Sequence, residues 1–419
     1  MTSQPVPRPL NSSPQDPSRP SSSRRGAVPD FQVMAVLARV QELRDAGRDV
    51  VSLCAGEPSG GAAEVVNRAA AEVHASGEAL TYTPAAGLPE LRTAIAGHYQ
   101  RWYGVDVDPA EVVVTTGASG AFLLTFLAAF DAGARVALAR PGYPAYRNIL
   151  SALDLDVLEL PAGYAERYQP TPALLDAAEA EHGHLDGLVV ASPANPTGTM
   201  LSRADLAALH AWCAQHGTLL ISDEIYHGIT YPTPGAEDPR GTTTRALGTD
   251  TVVVNSFSKY WGMPGWRLGW ALLPQRLRGA ATALAGNVSL CPPAAAQRAA
   301  VHCFDESAYA FGDEQVAGFA RTRELLAEAL PRLGWGTVAP ADGAFYLYAD
   351  IAPVLGDLPD AAAWCSALLE EEGVALTPGA DFDAVGGRTA VRLSFAAGYS
   401  AVATAIERIL AFQARHVPR

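Results

Sequence analysis

Lys259 is the only lysine in this chain of 419 residues; every other member of its 30 Lys and Arg residues is arginine. Compositional drift exchanges surface lysines for arginines freely, because either serves as a solvated cation. The exchange stops where a nitrogen must lose its proton and attack a carbonyl, since a guanidinium stays protonated in proteins while a buried lysine can become neutral. Lys259 is therefore a candidate nucleophile, with a surface cation that survived by chance as the plainer alternative. Its neighbours argue for the first. Val252, Val253 and Val254 run into Asn255, Ser256, Phe257 and Ser258 before the lysine, and Gly262, Gly265 and Arg267 follow it. A β-branched run passing into small polar residues predicts a buried strand that ends in a loop at a sheet edge, where open α/β folds bind their ligands. In such a loop the Ser256 hydroxyl and the planar fork of Arg267 are suited to grip a phosphate while the lysine bonds the rest of the ligand.

A phosphate held beside a reactive amine fits pyridoxal phosphate. The spacing of Ser256, Ser258 and Lys259, with Arg267 eight positions after the lysine, resembles the signature of the fold-type I, class I/II aminotransferases. The resemblance runs from about Val28 to the C-terminus. It implies that Lys259 carries the cofactor as a Schiff base and that Ser256, Ser258 and Arg267 lie around it. It also gives roles to residues that, taken singly, have plainer readings. Asp223 ends the apolar run of Thr218 to Ile221, and an acid at a strand end equally serves as a helix cap. Beside a pyridine ring it would hold a proton on the ring nitrogen and make the ring an electron sink. Tyr226 would hydrogen-bond the phenolate oxygen. Asn195 sits in the Ser192 to Gly198 turn after the apolar run Leu188 to Ala191; it reads as a turn residue and, by resemblance, as a second contact of that oxygen beside the substrate.

Val112 to Thr115, a small-residue loop and the helical run Ala121 to Phe130 bring free backbone N–H groups to a positive helix end, so Ala118 and Ser119 would cradle the phosphate. Turns of this kind also occur where only close packing is needed. Tyr143 matches an aromatic residue stacked on the ring face. Tyr82 matches a tyrosine that reaches the phosphate of the neighbouring subunit, which implies a homodimer. Arg392, on a late strand, matches the arginine that binds the substrate α-carboxylate through a bidentate pair, with Gly56 close to the same carboxylate.

Composition is consistent with such an enzyme. A net charge of −14 and scattered arginines argue against nucleic acid as a partner, and 49% hydrophobic content gives a large core. The five cysteines are odd in number and never spaced as C-x-x-C, so they read as reduced packing residues, and the histidines show no metal-ligand spacing with them. No apolar run is long enough for a membrane, and the N-terminus lacks the core of a secretory signal; a cytoplasmic location is expected. Residues 1–27, rich in Pro, Ser and Arg, read as a disordered tail. A transit peptide shares part of that composition, although the prolines oppose its amphipathic helix.

Strand-like runs at 112–115, 135–139, 156–160, 187–191, 218–222, 251–255 and 267–273 alternate with helical ones. They predict an α/β large domain, residues 56–300, with a mainly parallel sheet covered by helices on both faces. A long helix over 306–331, strands at 344–349, 374–377 and 389–395 and helices over 360–372 and 400–415 form a smaller α+β domain of residues 28–55 with 301–419, as in aspartate aminotransferase-like folds. The expected reaction is a ping-pong transfer of an amino group between an L-amino acid and a 2-oxo acid, with Lys259 as the base. The same constellation also serves lyases, cyclases, decarboxylases and oxidases, and a binding protein on a degenerate enzyme fold is a further alternative. The stretch Asn287 to Pro293 offers no cation for a distal carboxylate, and Ser59-Gly60-Gly61 suggests room for a larger side chain.

Overall fold

The computed structural model describes residues 23–232 and 238–416. The expected tail therefore lies outside the described residues as far as residue 22. Beyond it the chain is already docked, because Arg25 pairs with Asp154 at 2.6 Å, inside the expected tail.

Seven strands build the main sheet: β1 (Val112–Thr115), β2 (Arg135–Arg140), β3 (Asp156–Pro161), β4 (Gly187–Ala191), β5 (Leu219–Asp223), β6 (Val252–Ser256) and β7 (Gly269–Leu272). Their order is β1-β7-β6-β5-β4-β2-β3. β7 runs antiparallel to both of its neighbours, and the remaining pairs are parallel. Every residue of β1, β5, β6 and β7 is buried, which explains why these strands read as continuous apolar runs rather than alternating ones. Successive side chains nevertheless enter different cores. Val136, Leu138 and Val189 join one apolar cluster with Phe122 and Phe126 of the helix Gly117–Ala129. Ala137, Leu188 and Val190 join another with Leu206, Leu209 and Trp212 of the helix Arg203–His216. The two-residue period of the strands thus divides the apolar side chains between helices on opposite faces.

A second, three-stranded antiparallel sheet has the order Thr377–Pro378, Ala390–Ser394, Tyr346–Asp350. Separately, Val51–Ser52 pairs in parallel with Val374–Ala375. The strand expected over 374–377 is therefore two short pieces that change partners at Leu376. Pro378, lacking an N–H, sits in a strand at the edge of its sheet, where that loss is tolerated. The run expected over 267–273 begins only at Gly269, because Arg267 adopts a left-handed backbone with φ +55°. The helix Glu306–Leu333, of 28 residues, leads from the main sheet to these smaller ones and packs on the C-terminal helix Tyr399–His416. One large apolar cluster runs from Val112 and Trp270 through Phe345 to Phe412, so the two regions share a continuous core.

Candidate active site

The parallel strands deliver their chemistry at one edge. Asp223 is the last residue of β5, Ser256 the last of β6, and Ser258 and Lys259 follow it; Asn195 comes four residues after the end of β4, and Gly117 opens the helix after β1. These loops face a cavity of about 380 Å³ that is closed from the other side by Gly56, Tyr346, Phe382 and Arg392. Of the residues singled out in the sequence, Gly56, Ala118, Ser119, Tyr143, Asn195, Asp223, Tyr226, Ser256, Ser258, Lys259, Arg267 and Arg392 all line it. Tyr82 does not. It is 80% exposed in the single chain.

Burial sets the protonation of the central pair. The Lys259 amine donates to the Gly56 carbonyl, and burial lowers its pKa to about 8 despite the raising influence of the Glu57 carboxylate. Burial raises Asp223 to about 7, against the lowering influence of the Tyr146 hydroxyl and of the Ile225 N–H at 3.1 Å. Tyr226 bonds Tyr346 hydroxyl to hydroxyl at 2.7 Å, and burial pushes its phenol well above the usual range.

Arg392 is 5% exposed, and its hydrogen-bond and ring partners among the described residues are neutral groups. Its Nη1 donates to Asn195 Oδ1 at 3.0 Å, and its Nη2 to the Cys54 carbonyl at 2.6 Å and to Thr377 Oγ1 at 3.3 Å. Its Nε is buried without a partner among the described residues. The guanidinium lies between the Tyr346 and Phe382 rings, 4.7 and 4.8 Å from their centroids. A buried cation with no carboxylate against it is costly unless an anion arrives from solution, so this arrangement fits a ligand carboxylate.

A second arrangement that suits an anion lies at the other end of the cavity. Thr116 makes no side-chain cap to the helix Gly117–Ala129, so the N–H groups of that helix start are left for another acceptor. Gly117 has φ +72°, and a Cβ there would stand 2.5 Å from Arg267 Nη2, so the bare glycine lets the guanidinium lie against the helix end. Ser256 and Ser258 bond each other through their hydroxyls at 2.7 Å beside it.

Several cavity residues escaped the sequence reading. Tyr146 stands one helical turn after Tyr143 on the helix Pro144–Ala152, and an i, i+3 spacing was the one available sign that it faces the same way. Tyr346 reaches Arg392 diagonally across the small sheet, where Arg392 pairs with Tyr348. Asp381, Phe382 and Phe31 had no local signal. The expectation that Ser59-Gly60-Gly61 leaves room in the pocket is not met. Those residues do not line the cavity; a Cβ on Gly60 would meet the Gln315 side chain, whereas one on Gly61 would meet nothing within 4 Å.

Fold and site together define a class. The family model for aminotransferase class I and II matches residues 48–409. Valine–pyruvate aminotransferase of Mycobacterium tuberculosis is 49% identical over 385 residues, 92% of this chain and 96% of that protein. Aspartate/prephenate aminotransferase of Thermus thermophilus is 34% identical over 389 residues, 92% of this chain and 97% of that one. Among solved structures, an aminotransferase from Mycobacterium tuberculosis superposes with a TM-score of 0.89 at 48% identity, covering 95% of this chain and all of its own. An aspartate aminotransferase from Thermus thermophilus solved with maleate gives 0.86 at 33% identity over 94% of this chain and all of its own.

The chain belongs to the class I and II aminotransferases. It is an enzyme that moves an amino group between an amino acid and a 2-oxo acid. Among the described residues no helix is long and apolar enough to cross a membrane.

Proposed function

We propose that the cavity binds pyridoxal phosphate, with Lys259 as the residue joined to it, and that the enzyme works by a ping-pong transfer as a homodimer in the cytoplasm. The observation that carries this reading is the chain's single lysine, buried between an anion site at a helix start and a second one at Arg392. The residues present fit the cofactor: Arg267, Ser119, Ala118, Ser256 and Ser258 would hold the phosphate, Tyr143 would stack on the ring, and Asn195 and Tyr226 would face its phenolate oxygen.

When bound, the cofactor supplies a protonated pyridine ring that withdraws electrons from the substrate α-carbon. Asp223 would keep that proton in place, oriented by the Tyr146 hydroxyl and the Ile225 N–H. The arginine fork of Arg392 would hold the α-carboxylate near Gly56, and Asn195 would fix the fork through the bond it already makes. Lys259, whose amine is lowered to about 8 by burial and so is readily neutral, would take the proton from the substrate α-carbon as the general base. The apolar walls exclude water while it does so.

The dimer reading is supported by an apolar surface around Tyr82. Leu80, Val288 and Leu290 are also exposed, and their two segments are tied together by bonds from Thr83 N–H to Cys291 Sγ and from Gln297 to Thr83. A patch of this kind needs a covering surface. The pairing of Val51–Ser52 with Val374–Ala375 likewise supports residues 28–55 with 301–419 as a small domain beside a large one of 56–300. Single-turnover mass spectrometry tests the reaction: the holoenzyme with an L-amino acid alone should release one equivalent of its 2-oxo acid per site, and a second 2-oxo acid should then be aminated. Stoichiometric carbon dioxide, ammonia or peroxide in place of the 2-oxo acid would contradict it.

A further inference from the structure

The side of the cavity beyond Arg392 is walled by a segment from the start of the described chain. Phe31, Val33, Met34 and Leu37 line it. Phe31 stacks on Tyr143 with ring centroids 6.3 Å apart and planes 9° apart, which fixes this segment beside Tyr143 at the cavity wall. The helix Gln32–Asp45 that carries the other three has no cap of its own, because its N-cap residue is Phe31. The acceptor for its first N–H groups comes from far along the chain: the Asp381 carboxylate takes Gln32 N–H at 3.3 Å and Val33 N–H at 3.5 Å. Asp381 is 6% exposed, and the next residue, Phe382, packs on the Arg392 guanidinium. One short stretch therefore holds both the apolar wall and the face of the arginine.

Charge decides what this wall admits. Among the described residues of the single chain, the cations lining the cavity are Lys259, Arg267 and Arg392, which are taken up by the cofactor and the α-carboxylate. Beside the apolar residues of the wall the charged group is Asp381, an acid. A substrate with a distal carboxylate would bury that charge against aliphatic and aromatic carbon and near a like charge, whereas an apolar side chain would gain from leaving water.

We propose that the amino substrate carries an uncharged, apolar side chain, read by the wall of Phe31, Val33, Met34 and Leu37, and that Asp381 is the positioning residue that holds this wall in place. This rests on the aminotransferase reading and adds its substrate class.

The test is kcat/KM of the holoenzyme for L-alanine, L-2-aminobutyrate, L-norvaline and L-aspartate against one 2-oxo acid. The expected rise is roughly fourfold for each added methylene, with aspartate about 100-fold below norvaline. Phe31→Ala and Met34→Ala should flatten that rise. Asp381→Ala should lower kcat/KM for norvaline more than for alanine and so flatten it too, and Asp381→Asn, which keeps an acceptor oxygen, should restore most of the slope. Aspartate converted as well as norvaline overturns the substrate class, leaving the aminotransferase reading intact; failure of every amino acid to react would overturn that reading instead. A slope unchanged in Phe31→Ala and Met34→Ala overturns the wall. Equal losses for alanine and norvaline in Asp381→Ala mean a merely structural aspartate and overturn its positioning role.

Discussion

Asp223 and Lys259 are displaced in opposite directions by the same cause. Burial lifts the acid to about 7 and lowers the amine to about 8, so both groups can change charge near neutrality. Asp223→Asn should keep most of the cofactor affinity but lower kcat by about 10³-fold, since an amide cannot hold a pyridinium proton electrostatically. Stopped-flow measurement of the half-reaction checks it, and near-wild-type turnover would show that the electron sink is not needed. These two residues were legible because their types are rare in their settings: a lone lysine, and an acid ending an apolar strand. Tyr146 was not, although its hydroxyl bonds Asp223 directly. A tyrosine on a helix looks like ordinary packing until the strand end it meets is known. Asp381 was further from reach, because the N–H groups it accepts lie some 350 positions away in sequence.

At the scale of elements, the site is a property of one sheet edge. β4, β5 and β6 are parallel neighbours, so their C-terminal loops arrive together without any long-range specification beyond strand order. This is why Asn195, Asp223 and Lys259 could be grouped from the alternation of strands and helices. Boundaries were less legible where tertiary contacts override local preference. Arg267 looks like the start of β7 but turns left-handed to lie against the Gly117 helix end. Similarly, the glycines after Pro58 read as open space in the pocket, but Gly60 lies against the Gln315 side chain outside it. The Gly117 contact yields a prediction: Gly117→Ala places a Cβ 2.5 Å from Arg267 Nη2 at a residue with φ +72°. The Cβ would push the Arg267 guanidinium off the helix end, and losing one charged hydrogen bond to the phosphate costs about 1.5 kcal/mol, so the variant should bind pyridoxal phosphate about tenfold more weakly, as measured by fluorescence titration of the apoenzyme. Unchanged affinity would mean that the phosphate does not sit at this helix start.

The whole molecule places Tyr82 away from the cavity of its own chain, on an apolar surface with Leu80, Val288 and Leu290. If the partner's cavity is where it acts, mixed dimers of inactive Lys259→Ala chains and weakened Tyr82→Ala chains contain one site with both lesions and one with neither. Activity should therefore recover toward half of the wild-type level per hybrid dimer. Complete chain exchange with no recovery would place Tyr82 within its own subunit's site or outside the site altogether. The central claim, that the chain's one lysine joins pyridoxal phosphate, is tested most directly by borohydride reduction of the holoenzyme followed by peptide mapping. The expected result is a single reduced pyridoxyl adduct on Lys259, and loss of the protein-bound visible absorbance in Lys259→Ala without added amine. An adduct at the amino terminus alone, or that absorbance persisting in Lys259→Ala, would contradict it.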